Sequence, residues 1–236
     1  MEIDKINQVR NTGRTIAIGD IHGHADALRR LIDKIQPSKE DIIVPLGDYV
    51  NRGPDSRGVI QAMIELSRNC RVIPILGNHD EMLLDARRDQ HALGRFLYDG
   101  GEQTLASYVE DAWFQGSDLS FIPEEHWDFL SRCQPYFETE HYIFTHACYD
   151  PFVAMNQQAS RWLRWTPIET TPPLPHISGK MVVLGHTAAS EIRHWGHVVC
   201  IDTGCGLQGR LTAYEPATGD TWCVGESNSS PTQRIS

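Results

Sequence analysis

Seven side chains with metal-ligand chemistry, Asp20, His22, Asp48, Asn78, His79, His146 and His186, each fall at or just after the end of a short apolar run. Imidazole nitrogens combined with carboxylate and amide oxygens form a borderline-to-hard donor set that suits Mn, Fe or Zn, and it lacks the thiolates of a structural zinc site. Two ions could share so many donors. A pair of divalent ions ~3.5 to 4 Å apart turns a bound water into hydroxide near neutral pH and clamps the oxygens of a transferring phosphoryl group. Any one of the 11 histidines taken alone is as consistent with an ordinary core or surface role. The reading rests on the coincidence of G-D-x-H-G, G-D-x-x-x-R-G, G-N-H-D, a strand-end His and G-H-T in a single chain.

The runs that position these residues are TIAIGD (15–20), IIVPLGD (42–48), VIPILGNHD (72–80), YIFTHA (142–147), MVVLGHT (181–187) and VVCIDTG (198–204). Apolar, β-branched stretches of this length bounded by turn formers suit strands buried on both faces, although Pro45 and Pro74 disfavour ideal central strands. Helical period in Leu28, Leu31, Ile32 and Ile35, and again in Val59, Ile60, Met63 and Ile64, predicts βαβαβ at the N-terminus. A helical insert is expected over about 81–137, with pieces at 82–88, 102–110 and 124–133. A proline-rich loop (166–176) and a hairpin (211–224) follow, and the tail from 225 to 236 is polar. The expected organisation is a single α/β domain over 1–236 with the helices as an inserted cap. In such folds the side chains past the carboxyl ends of strands converge on a crevice.

Composition bounds the function. The chain has 236 residues, 40% hydrophobic and 22% charged, with a net charge of −10, so a true core is available and disordered or disulfide-scaffold classes are excluded. The acidic balance repels phosphate backbones and anionic lipid, and neither nucleic acid nor membrane is expected as a partner. The six cysteines, Cys70, Cys133, Cys148, Cys200, Cys205 and Cys223, form no C-x-x-C pair and are expected as reduced structural thiols. The first twenty residues lack the apolar stretch of a signal peptide, and no apolar run reaches the ~20 residues that span a bilayer, which predicts a cytoplasmic protein.

The ordered set GDIHG (19–23), GDYVNRG (47–53), GNHD (77–80), THA (145–147) and LGHT (184–187) resembles the phosphoprotein phosphatase branch of the calcineurin-like metallophosphoesterases, over roughly residues 15–215. RGPDS (52–56) and GGEQTLASY (100–108) resemble bacterial members similar to the lambda phage phosphatase. The resemblance implies that family's fold, mixed β-sheets flanked by helices, with the helical cap. It implies that Asp20 and His22 bind one divalent ion, that Asn78, His146 and His186 bind a second, and that Asp48 bridges them. Manganese is the expected metal, with iron and zinc as alternatives. A hydroxide held between the ions would attack phosphorus in line, Arg52 would clamp the phosphoryl oxygens, and His79 would protonate the leaving alkoxide. A second phosphate-gripping arginine is expected in SRWLRW (160–165), where Arg164 is preferred over Arg161.

Asn51 stands where the family usually has the Asp that pairs with the general-acid histidine. A neutral amide orients an imidazole but does not stabilise its protonated form. His79 is therefore expected to be a weaker acid here, favouring leaving groups that need little protonation, such as aryl phosphates. Asp80 is expected as a helix N-cap or as a partner of the ligands. His24 is read as a local hydrogen-bonding residue, His176 and His194 as exposed, and GCG (204–206) as too short for a phosphate loop. Of the six tryptophans, Trp113, Trp127, Trp162, Trp165, Trp195 and Trp222, those at 162 and 165 flank the arginines and are candidates for touching substrate.

The leading expectation is a metal-dependent phosphomonoesterase acting on phosphoproteins. A symmetrical diadenosine tetraphosphatase is the alternative enzyme, and retention of His22 in the first motif weighs against it. A non-catalytic metal- or phosphate-binding scaffold is the third reading, supported only by Asn51. Metal content together with turnover of an aryl phosphate separates enzyme from scaffold.

Overall fold

The computed structural model describes residues 13–109, 118–168 and 171–225; Glu110, Trp113 and the polar tail after Gly225 lie outside them. In chain order its strands are β1 (Thr15–Ile18), β2 (Ile42–Pro45), β3 (Arg71–Val72), β4 (Tyr136–Glu138), β5 (Tyr142–Thr145), β6 (Met181–Leu184), β7 (Arg193–His194), β8 (Val198–Cys200), β9 (Arg210–Tyr214) and β10 (Thr221–Gly225). The helices are α1 (Ala25–Ile35), α2 (Ser56–Leu66), α3 (Asn78–Ala86), α4 (Gln90–Phe96), α5 (Glu102–Ala106), α6 (Glu124–Ser131) and α7 (Ser160–Trp165).

Two mixed sheets result, one ordered β10-β9-β1-β2-β3 and the other β4-β5-β6-β8-β7. The parallel pairs β1–β2 and β6–β8 set the registers Thr15↔Ile42 and Val182↔Val198. An inner apolar layer, with Ala17, Val44 and Leu46 on one side and Phe144, Val183 and Val199 on the other, lies between the sheets. Alternate residues Ile16, Ile18 and Ile43 face outward onto helices α1 to α6, and Ile143, Val182 and Val198 pack with Leu163 of α7. Strands buried on both faces are what their near-continuous hydrophobicity requires.

Each prolines' effect is local. Pro45 is tolerated as the last residue of β2, while Pro74 limits β3 to two residues. Beyond Pro74 the chain crosses to the other sheet: Ile75 bridges Gln134, and Gln134 N–H donates to the Pro74 carbonyl at 2.7 Å. The expected hairpin near the C-terminus is β9–β10. Strands β4 and β7 and helix α4 were not expected from sequence. Helix α3 starts at Asn78 rather than Met82, and α6 ends at Ser131 rather than Cys133.

His176, expected to be exposed, is buried: its ring bonds the Ser178 hydroxyl at 2.7 Å and the Val153 carbonyl at 2.9 Å. His194 is exposed as expected. None of the six cysteines is in a disulfide, and Cys70, Cys148, Cys200 and Cys205 are buried. Among the described residues no helix is long and apolar enough to cross a membrane.

The entry to β1 is tied to β2 by buried Asp41. Its carboxylate accepts the Arg14 and Ser38 backbone N–H groups at 2.8 and 2.9 Å and pairs with the Arg14 guanidinium at 2.7 Å. Burial pushes the Asp41 carboxyl up, but these bonds outweigh it and hold the pKa below the ordinary value. A depressed folded pKa contributes stability above the unfolded value of about 3.9 and loses it as pH falls through the folded value. Asp41→Asn is expected to lose roughly 1–3 kcal/mol at neutral pH and to weaken the acid dependence of stability below about pH 4. Denaturant unfolding at neutral and acid pH measures both, and parental stability at neutral pH would refute the expectation.

Candidate active site

The expected ligands gather at the carboxyl ends of strands from both sheets: Asp20 and His22 after β1, Asp48 after β2, Asn78 and His79 at the start of α3, His146 after β5 and His186 after β6. Close approach is built into the sequence. A Cβ on Gly185 would sit 2.1 Å from Asp20 Oδ1, so only glycine lets the β6 loop bring the His186 N–H onto the Asp20 carboxylate, at 3.1 Å to each oxygen.

Each of the candidate-ligand imidazoles His22, His146 and His186 uses one ring nitrogen on a backbone carbonyl. His22 Nδ1 lies 3.1 Å from the Val50 carbonyl, His146 Nδ1 lies 2.9 Å from that of Leu46, and His186 bonds the Trp165 backbone. With those nitrogens donating, the other nitrogen of each ring presents a lone pair, that of His22 now facing Arg52 Nη1 at 2.9 Å, the arrangement by which proteins fix a metal-binding tautomer. His146 Nε2 stands 3.0 Å from Asn78 Oδ1, 3.1 Å from His186 Nδ1 and 3.6 Å from Asp48 Oδ1, and His22 Nε2 stands 3.5 Å from Asp48 Oδ2. Donors sharing one ion through bonds of about 2.0–2.2 Å lie roughly 3–3.5 Å apart, so the spacing fits.

Two groups able to hold a metal ion emerge, His22 with Asp48 and His79, and Asp48 with His146 and His186; Asp48 belongs to both. Burial, with nearby Asp202 and Asp48, pushes the Asp20 carboxyl up, and burial with Asp80 does the same for Asp48. Burial pushes His22, His146 and His186 down. Carboxyls whose charged form burial disfavours, beside unprotonated imidazoles, are the electrostatic setting that a divalent cation relieves.

His79 is held differently. Asn51 Nδ2 lies 2.9 Å from its Nδ1, and Arg52 Nη2 lies 3.2 Å from its Nε2. The Asn51 amide is oriented by two other contacts, Nδ2 donating to the Asp99 carbonyl at 3.2 Å and Oδ1 accepting from the Thr104 hydroxyl at 2.9 Å. Both ring nitrogens thus face N–H groups, and no acceptor is offered to the protonated ring. Burial, with the Arg52 and His186 charges, lowers the His79 pKa to about 3.

Asp80 is not the N-cap of α3, which is Gly77, and takes the other expected place, as a partner of the candidate ligand Asp48. It is the third residue of α3, and its carboxylate accepts the N–H groups of Asp48 at 2.7 Å, Tyr49 at 2.9 Å and Gly77 at 3.0 Å, fixing the loop that presents Asp48. Arg52, Asn78 and His79 line a cleft of about 540 Å³ together with Met82, Asp99, Gly100, Trp165, Gly206 and Leu207. Arg164 is not in that wall: its guanidinium pairs with Glu81 at 2.6 Å. Arg161 is exposed. Of the two flanking tryptophans, Trp165 lines the cleft and Trp162 does not.

Sequence reading missed Gly206 and Leu207, because GCG matches no motif, and the roles of Asp99 and Thr104, which act from 48 and 53 residues away from Asn51. The phrase GGEQTLASY was the available signal.

The calcineurin-like phosphoesterase family profile matches residues 13–203. The chain is 27% identical to serine/threonine-protein phosphatase 1 of Salmonella typhimurium, over 89% of this chain and 95% of that protein. A symmetrical bis(5'-nucleosyl)-tetraphosphatase of Acidovorax is 49% identical over 71 residues, 29% of this chain and only 24% of that enzyme's length. A crystal structure assigned provisionally as a diadenosine tetraphosphatase superposes with a TM-score of 0.71 at 24% identity, covering 92% of this chain and 95% of that one.

Proposed function

The chain belongs to the calcineurin-like phosphoesterase family, and from that premise we propose that it is a metal-dependent phosphomonoesterase that dephosphorylates proteins. The observation that carries the reading is Asp48, the buried carboxylate shared by two His/Asp clusters, one of which includes His79 of the cleft wall. Full-length similarity to a serine/threonine phosphatase supports the substrate class.

In this proposal Asp20 and His22 hold one divalent ion, Asn78, His146 and His186 hold the other, and Asp48 joins them, with manganese the expected metal. When bound, such a pair supplies the water activation and charge neutralisation that in-line attack on phosphorus needs. The chain's own residues do the rest. Arg52 reaches into the cleft and grips the phosphoryl oxygens through its planar fork. Arg164 joins it only by leaving Glu81. His79 presents its ring to the leaving oxygen, and Asn51 orients that ring. Trp165 and Met82 give the substrate an apolar wall.

A second reading, hydrolysis of a dinucleoside tetraphosphate, is favoured by the His79 environment, since a phosphoanhydride leaving group needs little protonation. The manganese-loaded protein assayed side by side on a phosphoserine peptide, a phosphotyrosine peptide and diadenosine tetraphosphate is expected to turn over the peptides faster. Faster dinucleotide turnover would move the substrate class to nucleotides, and no turnover of any of them, or of an aryl phosphate, would leave a binding scaffold.

A further inference from the structure

The phrase GGEQTLASY contributes no ligand and no reacting group, yet three of its contacts converge on the loop that carries Arg52. Asn51 and Arg52 are consecutive non-glycine residues in the left-handed region, with φ of 71° and 69°. L-residues leave that region unless the surroundings hold them there. What holds this pair is a wide helical turn over Leu97–Gly101, inside which Asp99 and Gly100 depart from helical dihedrals. Such turns free carbonyls from the helical ladder and recur at functional sites.

Here the freed carbonyls point at the loop. The Gly100 carbonyl accepts the Arg52 N–H at 3.2 Å, and the Asp99 carbonyl accepts Asn51 Nδ2 at 3.2 Å. One turn later, fully buried Thr104 takes the Asn51 N–H at 2.8 Å on Oγ1 and donates its proton to Asn51 Oδ1 at 2.9 Å. Ser56 Oγ lies 3.1 Å from the same hydroxyl. Gly100 has φ 88°, and a Cβ there would come within 3.3 Å of the Arg52 nitrogen, so the two backbones meet this closely only through glycine.

We propose that residues 99–104 are a buttress that fixes Asn51 and Arg52 for phosphate binding, with Thr104 as its positioning residue. The inference rests on the reading that Arg52 grips the phosphoryl group. Removing the Thr104 hydroxyl leaves a buried N–H without its acceptor and lets the loop move, and displacements of about 1 Å at a binding group lower rates by as much as about 10²-fold.

The test compares manganese-loaded Thr104→Val, Thr104→Ser, Gly100→Ala and Arg52→Ala with the parent, by calorimetric affinity for inorganic phosphate, bound metal per chain, and KM and kcat on p-nitrophenyl phosphate. Thr104→Val is expected to weaken phosphate binding and kcat/KM by about 10- to 100-fold at parental metal content, while Thr104→Ser, which keeps the hydroxyl, stays within about 3-fold. Should Thr104→Val not fold, Gly100→Ala carries the same expected loss. Parental phosphate affinity in the folded variants, equal impairment of Thr104→Ser and Thr104→Val, or metal lost in step with phosphate would overturn the inference. If Arg52→Ala weakens phosphate binding and the buttress variants do not, the inference alone fails. If Arg52→Ala binds phosphate like the parent, the reading of Arg52 fails and the inference with it.

Discussion

Asp48→Asn is expected to lower kcat/KM by about 10³-fold or more, with bound metal falling in parallel. Among the described residues no other side chain belongs to both potential metal clusters. Its two oxygens also have separate duties: Oδ2 faces His22 Nε2 at 3.5 Å, while Oδ1 faces His146 Nε2 at 3.6 Å and accepts the His79 N–H at 3.0 Å. An amide keeps the volume but loses the negative charge, and one of its two ends becomes an N–H donor aimed at an imidazole lone pair. The fold should survive, because the Asp80 carboxylate holds the loop through backbone N–H groups, including that of residue 48 itself. Metal analysis beside steady-state kinetics and circular dichroism separates loss of the site from loss of structure. Parental metal content together with parental turnover would remove Asp48 from the mechanism.

Asn51→Asp is expected to raise turnover of a phosphoserine peptide about 10-fold or more while changing an aryl phosphate about 2-fold or less. His79 now meets an N–H group at each ring nitrogen, and its pKa lies near 3. A carboxylate at position 51 would accept from Nδ1 and favour the protonated ring, which helps an alkoxide leave far more than a phenoxide. The exchange has a structural cost. It sets a carboxylate oxygen against the Asp99 carbonyl, where Asn51 now donates at 3.2 Å, and a buried acceptor facing an acceptor loses roughly 1–3 kcal/mol. Turnover and thermal stability should therefore move in opposite directions. Equal rate changes on both esters would sink the leaving-group argument.

The strand-end positions of Asp20, His22, Asp48, His146 and His186 were legible because each of these candidate ligands lies past a strand of nearly continuous hydrophobicity, whereas Asn78 follows the two-residue β3 and opens α3. β1, β2, β5 and β6 are buried on both faces, and their apolar runs end where these candidates begin. Assignment of those strands to two sheets was not legible from the runs, since a strand covered on both sides reads alike whether its neighbour is a helix or another sheet. β4 and β7 are short edge strands with half-exposed residues, and α4 contains Gly94 in a seven-residue helix, so their periodic signals are weak. His176 looked exposed because its partners, the Ser178 hydroxyl and the Val153 carbonyl, come from a loop without a pattern. Arg164 illustrates a further limit: the family resemblance called for a second arginine in SRWLRW, but the pairing of Arg164 with Glu81 depends on the angle at which α7 meets α3.

Among the described residues seven non-glycine positions have positive φ, and five of them are His22, Asp48, Asn51, Arg52 and His186. Each such conformation costs on the order of 1–3 kcal/mol, so the loops that create the cleft work against folding. Glycine at these positions would ease the backbone while deleting the chemistry, and selection for thermal resistance alone would erode them first. The apolar clusters between the sheets and beneath the helices are what must offset that cost for the reactive loops to remain unrelaxed.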